Sequence, residues 1–342
     1  MIANVQLQNF GPLEELRWSG LSSINLVIGG NGAGKTMLLK ALYSAVRTLE
    51  EYKRGAENRS ASEVLVDKLY WTFQQDKIGS LVTKGAEGPL RCTVSFQDAD
   101  HGAADFMYEF GKSTTKQINV IENHVRPRRE NSIFLPAKEV LSLHQVILTS
   151  RERDRAFGFD DTYVDLARAL QLPRTKGMNF KGFSASRRKL EAMFGGRVSY
   201  NAASQRWEFQ KGKQSFQIGV TSEGTKKIGI LDTLLGNRYL GPGSIVFFDE
   251  PESALHPEAI SALLDIIELM AESGVQIILA SHSYFVIKKL CLIAQQKQRS
   301  IPVLSLAADG MHTGDLKDGM PDNPIIDESI RLYEQAVDLA LG

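Results

Sequence analysis

The sequence predicts an α/β fold in which helices cover a mixed, mostly parallel β-sheet, and three observations support this prediction. Segments typical of strands and of helices alternate through the last third of the chain, from Ser244 to Leu341. A short β-branched run, Ile24 to Ile28, precedes a glycine-rich loop and a segment with helical periodicity. A second apolar run, Ser244 to Phe248, ends in two acids. Alternating β and α elements are typical of a parallel sheet that is covered by helices.

Residue spacing then assigns the elements in order. Met1 to Phe10 alternates apolar side chains on one face, which predicts a strand, and apolar residues from Leu38 to Val46 recur at helical spacing. The segment from about Lys138 to Phe194 is rich in Leu, Ala, Arg and Lys with helical periodicity, and three strand-like pieces between Val198 and Val220 predict an antiparallel meander. The last third predicts strands over 244–248, 275–280 and 301–306, and helices over 256–271, 284–295 and 325–341.

These elements divide the chain into two parts. Residues 1–137 and 196–342 form one discontinuous domain, and residues 138–195 form an α-helical insertion, or lid. A chain of 342 residues is long enough to bury a full-sized core in either one large domain or two.

Composition narrows the functional classes. Lys+Arg and Asp+Glu both number 40, so the formal net charge of zero argues against a strongly basic nucleic-acid-binding surface. The two cysteines, Cys92 and Cys291, lie far apart, which disfavours a disulfide framework and suits a reducing cytoplasm. The start of the chain lacks the pattern of a signal peptide, and its apolar runs are too short to span a bilayer. We therefore expect a soluble cytoplasmic protein without a membrane partner.

The loop from Gly29 to Thr36 carries the strongest motif, because it matches G-x-x-x-x-G-K-[ST] at every fixed position. Glycines let the backbone curl so that its N–H groups face phosphate oxygens, and Lys35 adds a cation at the β- and γ-phosphates. The Thr36 hydroxyl can ligate Mg²⁺. The alternative is a glycine-rich turn before an ordinary helix. The motif predicts a P-loop NTPase that uses ATP and Mg²⁺, with nucleotide bound by Gly29, Asn31, Gly32, Ala33, Gly34, Lys35 and Thr36 and with Lys35 also catalytic.

The strand ending in Asp249 and Glu250 supplies the second motif. An acid at the carboxyl end of a parallel strand lies beside the phosphate loop, where Asp249 can hold the metal. Glu250 is suited to position or deprotonate the attacking water. A solvated acidic turn after a strand is the alternative.

The segment that begins with these two acids resembles a known family of ATPases. Asp249-Glu250-Pro251-Glu252 with Leu255-His256-Pro257 is similar to the extended Walker B motif and D-loop of ABC-type ATPases, and within them of the RecF/SMC-like and overcoming-lysogenization-defect (OLD) ATPases. The resemblance implies an ABC-ATPase-like head. His282, in Ala280-Ser281-His282-Ser283, matches their switch histidine, which senses the γ-phosphate and helps to orient the water. The alternative is an ordinary surface or capping histidine.

Residues 220–227 resemble a divergent ABC signature motif that opens a helix. In the family, this motif binds the γ-phosphate held by the opposite subunit, and Ser222 and Gly224 occupy the matching positions. The resemblance implies a homodimer or higher homo-oligomer with ATP between the subunits. A plain Ser/Gly helix cap is the alternative.

Two further segments, Phe134 to Val140 and Met320 to Ile325, look like a bacterial subgroup of AAA-type, OLD-like ATPases. Many members of that subgroup act in antiviral defence beside a separately encoded effector. OLD nucleases also carry a Toprim domain, and the residues after His282 are too few for one. A Q-loop glutamine cannot be assigned, because Gln74 and Gln75 are candidates only by their position after the first helix.

The leading hypothesis is therefore an ABC-type ATPase that binds and hydrolyses ATP at a dimer interface and regulates a separate effector. The alternative is a DNA-repair or chromosome-maintenance ATPase of the RecF/SMC type. A transporter subunit is disfavoured by the long stretch between Thr36 and Ser222, and a sensor without turnover is disfavoured by Glu250. Three basic clusters could contact nucleic acid or could be solvated helix faces: 126–129, 151–155 and 187–189. Tyr70, Trp71 and Phe73 could stack on a base or pack in a core.

Overall fold

The computed structural model describes residues 1–55, 58–98, 102–175, 181–307 and 310–341. Its strands are β1 (Ile2–Phe10), β2 (Leu13–Ser19), β3 (Ile24–Gly29), β4 (Leu90–Asp98), β5 (Gly102–Phe110), β6 (Val120–Asn123), β7 (Ile133–Leu135), β8 (Arg197–Asn201), β9 (Arg206–Lys211), β10 (Gln214–Gln217), β11 (Ile245–Asp249), β12 (Gln276–Ser281), β13 (Pro302–Ala307) and β14 (Gly310–Asp315). Its helices are α1 (Lys35–Glu51), α2 (Ala61–Phe73), α3 (His144–Glu152), α4 (Asp161–Gln171), α5 (Lys181–Phe194), α6 (Glu223–Gly236), α7 (Pro257–Glu272), α8 (Tyr284–Lys297) and α9 (Pro324–Leu341). Two 3-10 helices cover Ile78–Leu81 and Ile218–Val220.

A six-stranded sheet with the order β14-β13-β3-β12-β11-β7 forms the centre of the fold. Neighbours pair in parallel from β13 to β7, whereas β14 pairs antiparallel with β13. Parallel pairing brings the carboxyl ends of β3, β12 and β11 to one edge, since Asp249 faces Ala280 and Ser281 faces Ile28. The predicted mixed, mostly parallel sheet is confirmed.

The edge strand β14 differs from the sequence prediction, which placed only a Gly/Asp-rich turn region after Leu306. Its residues Gly310–Asp315 are mostly exposed and contain two glycines. An exposed strand that is paired along just one of its edges does not require alternating apolar residues. The sequence of β14 therefore carries no clear strand signal.

The central strands supply two hydrophobic cores, because successive side chains of a strand point to opposite faces of the sheet. Leu26 and Phe248 pack in one core with α4, α6 and α7. Val27 and Phe247 pack in the other core with α1, α2 and the N-terminal strands. The sheet is thus buried on both faces, which explains the continuous apolar runs of its strands.

A second sheet, with the order β2-β1-β4-β5-β6, is antiparallel throughout and shares its core with α1. Strands over 1–10 and near 90–96 are predicted from the sequence, but their pairing and the strand β2 are not. The β1–β2 turn has positive φ at Asn9 and Gly11, as the Asn-Phe-Gly-Pro turn signal suggests. The register that joins Leu7 to Cys92 depends on contacts far apart in sequence, which local patterns cannot predict.

Helices α3, α4 and α5 occupy the segment for which the sequence predicts a helical insertion. Val164 and Leu166 of α4 share a core with Leu231 of α6 and Leu263 of α7. The inserted segment therefore packs directly against α6 and α7, which cover the central sheet. Division of the chain at residues 138 and 195 stays a prediction.

The predicted meander is confirmed as the three-stranded antiparallel sheet β10-β9-β8. Its last strand ends at Gln217, and the 3-10 helix that follows leads to Ser222. Among the described residues, no helix is both long and apolar enough to cross a membrane.

Candidate functional site

The phosphate loop connects the buried strand β3 to helix α1, as the motif predicts. Lys35 begins the helix, and its Nζ donates hydrogen bonds to Gly29 O at 2.8 Å and Gly30 O at 2.9 Å. Burial lowers the pKa of Lys35, whereas the charges of Glu250 and Asp249 act in the opposite direction. The ammonium group therefore lies inside the curl of the loop, close to both acids.

Two glycines of this loop are required by its geometry. Gly29 has φ +155°, and a Cβ there would lie 2.4 Å from Leu306 O. Gly34 has φ +94° and caps α1, and a Cβ there would lie 2.8 Å from Leu13 Cδ2. The first N–H groups of a helix have no intrahelical acceptor, so those at the start of α1 can bind an anion.

A cavity of about 300 Å³ lies over the loop. Residues of the loop line it together with Pro12, Met37 and Glu250; from the loop they are Asn31, Gly32, Ala33, Gly34, Lys35 and Thr36. The structure thus brings one predicted catalytic acid to the mouth of the predicted phosphate site.

Thr36 and Asp249 meet across the end of the sheet. Thr36 Oγ1 donates to Asp249 Oδ2 at 2.9 Å and lies 3.1 Å from Oδ1. Burial raises the pKa of Asp249; the Thr36 hydrogen bond offsets part of this effect, and the neighbouring Glu250 adds to it. A hydroxyl and a carboxylate are hard oxygen donors of the kind that Mg²⁺ prefers, so the two residues fit the predicted metal site.

Glu250 and His282 form a second pair at the same edge. His282 Nδ1 lies 3.3 Å from Glu250 Oε1, and both side chains are partly exposed. Glu252 Oε1 accepts hydrogen bonds from Ser281 Oγ at 2.7 Å and from His282 N at 3.3 Å, which holds the loop after β12. Glu252 was not among the predicted site residues, because its role depends on these contacts with the loop after β12.

Lys227 is a further residue that sequence reasoning missed. Its Nζ donates to Glu250 O at 2.6 Å and to Ser253 Oγ at 2.8 Å, so it joins α6 to the segment after β11. Burial lowers the pKa of Lys227 to about 8, although Glu252, Glu250 and Asp249 raise it. Its place on the first turns of the helix after Ser222 is visible in the sequence, but its partners are not.

Ser222 and Gly224 lie at the start of α6. Ser222 is the N-cap, and its Oγ accepts a hydrogen bond from Thr225 N at 3.2 Å. A Cβ on Gly224 would lie 2.9 Å from Leu255 Cδ2. The two residues do not line the cavity over their own chain's phosphate loop.

Gln74 and Gln75 lie at the end of α2, and neither lines that cavity. The Gln75 side chain donates to Phe73 O at 3.1 Å. Instead, β7 pairs in parallel with β11 and brings the following residues to the catalytic edge, where Ala137 O accepts a hydrogen bond from Ser253 Oγ at 2.9 Å. The metal-coupling glutamine stays unassigned.

One arginine of each basic cluster has a partner within the chain. Arg128 donates to Gly243 O at 2.7 Å, and Arg187 pairs with Asp232 at 2.8 Å. Arg151 lies 3.7 Å from the centroid of the Trp71 ring. Each of these arginines thus has a structural role in the fold.

Solved structures of other proteins have a similar fold. An Smc head bound to the C-winged helix domain of ScpA is similar with a TM-score of 0.54 and 14% identity, covering 92% of this chain and 97% of that one. An Smc head domain with an extended coiled coil, from Pyrococcus furiosus and bound to the C-terminal domain of ScpA, has a TM-score of 0.54 and 11% identity, covering 98% and 99%. No curated protein sequence matches the chain.

The chain therefore has an α/β fold like that of SMC heads, and its phosphate loop and family match define it as a P-loop protein with an AAA domain. The chain belongs to the family described as "AAA domain, putative AbiEii toxin, Type IV TA system", whose model matches residues 24–288. The match extends from β3 through the loop after β12 into α8, and so contains every predicted site residue.

Proposed function

We propose that two copies of this chain bind and hydrolyse ATP between them, and that this cycle regulates a separately encoded effector in bacterial defence. The observation that carries the proposal is the meeting of Thr36, Asp249 and Glu250 at the phosphate loop. The family description, which names a toxin of a toxin–antitoxin system, supports the defence setting and a partner protein. The setting that we propose is cytoplasmic.

Binding would use the loop and the start of α1. Lys35 would exchange its contacts with Gly29 O and Gly30 O for the β- and γ-phosphate oxygens, so its positive charge would compensate theirs. Thr36 and Asp249 would hold Mg²⁺, which would supply positive charge to offset that of the phosphates. The Thr36–Asp249 hydrogen bond would open in this step.

Hydrolysis would use Glu250 and His282. Glu250 would accept a proton from a water molecule as the water oxygen bonds to the γ-phosphorus and the bond to the ADP oxygen breaks. His282, 3.3 Å from Glu250, would orient that water and hydrogen-bond to the γ-phosphate. The products are ADP and inorganic phosphate.

A second copy would complete the site. Ser222 and the first N–H groups of α6 would bind the γ-phosphate that lies on the phosphate loop of the other copy. The position of Ser222 outside its own chain's cavity supports this arrangement, because the residue needs a partner's nucleotide to act on.

A DNA-directed function of the RecF/SMC type is a second candidate. The likeness to SMC heads favours it at the level of fold. The contacts of Arg128, Arg151 and Arg187 within the chain favour the effector-regulating role instead.

The Lys35→Ala variant tests the phosphate site. We expect loss of measurable ATP binding by calorimetry, because each hydrogen bond to a charged group contributes roughly 1.5–3 kcal/mol, or about 10- to 150-fold in affinity. Lys84→Ala, which removes an exposed lysine elsewhere, is the matched control and should bind like the wild type. Wild-type affinity in Lys35→Ala would remove the proposed site.

A further inference from the structure

One face of α1 carries polar side chains along much of its length, starting at the predicted metal site. Thr36, Lys40, Tyr43 and Arg47 follow each other at intervals of four, three and four positions, which places them on one side of the helix. Thr36 contacts Asp249, and the three others contact acids of the α4 segment.

The contacts with α4 are ordered along both helices. Lys40 Nζ lies 2.6 Å from Asp160 Oδ2, Tyr43 Oη donates to Asp165 Oδ2 at 2.7 Å, and Arg47 Nε donates to the same oxygen at 3.3 Å. Asp160 is the N-cap of α4, and its Oδ1 accepts a hydrogen bond from Thr162 N at 2.8 Å. A displacement of the Asp160 side chain therefore acts directly on the first turn of α4.

The part of the α1–α4 contact that lies farther from the predicted metal site is held by buried ion pairs around Asp165. Burial raises the pKa of Asp165, but Lys68 and Arg47 outweigh that effect and hold it well below its usual range. Removing one member of such a buried ion pair leaves an uncompensated charge, so this group of residues acts as an anchor. The Lys40–Asp160 pair lies at the other end, with side chains 21% and 10% exposed, next to the catalytic edge.

Electrostatic interactions link Asp249 to Lys40 of α1 and to Tyr163 of α4. Lys40 lowers the pKa of Asp249, although burial is the larger effect and raises it. The pKa of Tyr163, one turn into α4, is raised to about 12 by burial, then by Asp160 and by Asp249. Lys40 thus pairs with the N-cap of α4 from a position one helical turn after Thr36, a predicted metal ligand.

We propose that Lys40 and Asp160 are positioning residues that couple the metal site to helix α4, so that α4 moves when nucleotide binds. This inference rests on the proposed function. A metal ion held by Asp249 and Thr36 would compensate the Asp249 charge, which would leave Asp160 as the main acidic partner of Lys40. The Lys40–Asp160 pair, already in contact at 2.6 Å, would then strengthen and draw the first turn of α4 more firmly against α1.

Trp71 offers a built-in reporter of this movement. Its ring lies 3.7 Å from the Arg151 guanidinium and 5.6 Å from the Phe157 ring, both on the segment that leads into α4. Arg151 also pairs with Asp161, the first residue of α4, at 2.7 Å. Trp18 and Trp207 are buried, so Trp71 is the half-buried one of the three tryptophans.

The experiment measures tryptophan fluorescence of the full chain while Mg²⁺ and a non-hydrolysable ATP analogue are added. We expect a change in the wild type that disappears in Trp71→Phe. Asp160→Asn keeps a good helix cap but loses the charge, and Lys40→Gln removes the other partner, so both should lose the change while still binding the analogue. Glu152→Gln, which breaks the exposed Arg168–Glu152 pair of the same segment, should respond like the wild type.

Turnover gives a second readout. Changes within a coupled network alter coupling by roughly two- to thirty-fold, so kcat should fall by about that factor in both variants with little change in KM. A Trp71 response of wild-type size in Asp160→Asn and Lys40→Gln overturns the inference, as does a wild type that binds the analogue without any response. Absence of binding in the wild type would instead refute the proposed function, so the two failures are distinct.

Discussion

At the scale of single residues, the backbone of Glu250 is held from two sides. It has φ +48°, a left-handed conformation that is uncommon for residues other than glycine. Its N–H donates to Ala280 O at 2.9 Å, and its carbonyl accepts from Lys227 Nζ. Such a conformation costs roughly 1–3 kcal/mol and persists where the surroundings determine it, as they do at functional sites. From this backbone position the Glu250 carboxylate lies 3.3 Å from His282 Nδ1.

Glu250→Gln tests the assignment of the general base. The amide has the same size but cannot accept the proton, so turnover should fall by about 10²- to 10⁴-fold while ATP still binds. Trapped ATP should also stabilise the dimer in size-exclusion chromatography with light scattering. Glu258→Gln, on an exposed position of α7, is the control. Hydrolysis at the wild-type rate in Glu250→Gln would refute the role of Glu250.

The sequence predicts the binding and catalytic residues of this site better than it predicts the residues that hold them in place. Lys35, Thr36 and Asp249 belong to motifs with fixed spacing, so the chemistry of the residues identifies them. Lys227 and Glu252 act through contacts with backbone and loop atoms. Those contacts exist only after the strands have paired, which is why spacing alone did not predict them.

At the scale of elements, α6 connects the signature-like segment to the catalytic acid of its own chain. Gly224 lets the helix approach Leu255, and Lys227, on the same helix, binds Glu250 O and Ser253 Oγ. A shift of α6 on dimerisation would therefore move the backbone of Glu250. The helix was predicted from its apolar residues, but this contact was not.

Lys227 gives a pH prediction for the protein without nucleotide. Its pKa of about 8 lies below its usual value of 10.5, so the fold disfavours the charged form. The free-energy cost of keeping Lys227 charged in the folded chain is complete below pH 8. Between pH 8 and 10.5 the unfolded chain binds more protons than the folded one, so this cost falls, and above pH 10.5 it is absent. Relative to Lys227→Met, the wild type should gain up to about 3 kcal/mol of unfolding free energy across this window.

Urea unfolding at about pH 7.5 and about pH 10 measures this difference. Lys84→Met, at an exposed position, should show no such pH dependence relative to the wild type. A difference between Lys227→Met and the wild type that is the same at both pH values would contradict the lowered pKa.

At the scale of the whole molecule, the central sheet was predictable because each of its buried strands reads as a short apolar run. The antiparallel sheet was not, since its order β2-β1-β4-β5-β6 joins segments that local patterns leave unpaired. The contact between α1 and α4 also depends on that assembly, with Asp165 buried among Lys68, Arg47 and Tyr43. Long-range polar contacts of this kind leave no periodic signal in a sequence.

The same limit applies to the proposed dimer, in which Ser222 of one copy would lie against the phosphate loop of the other. Ser222→Arg should block the shared site by bulk and abolish turnover, while ATP still binds the loop of the same chain. Lys35→Ala should also be inactive. In a mixture of the two variants, a dimer with one chain of each kind keeps one intact site, formed by the loop of Ser222→Arg and the serine of Lys35→Ala.

Mixing the two inactive variants in equal amounts should therefore restore activity. With random assortment half of the dimers are mixed and each has one working site of two, so about a quarter of the wild-type rate is expected. Each variant alone at the same total concentration is the control. Normal turnover of Ser222→Arg alone, or no recovery in a mixture whose subunits exchange, would contradict the shared arrangement.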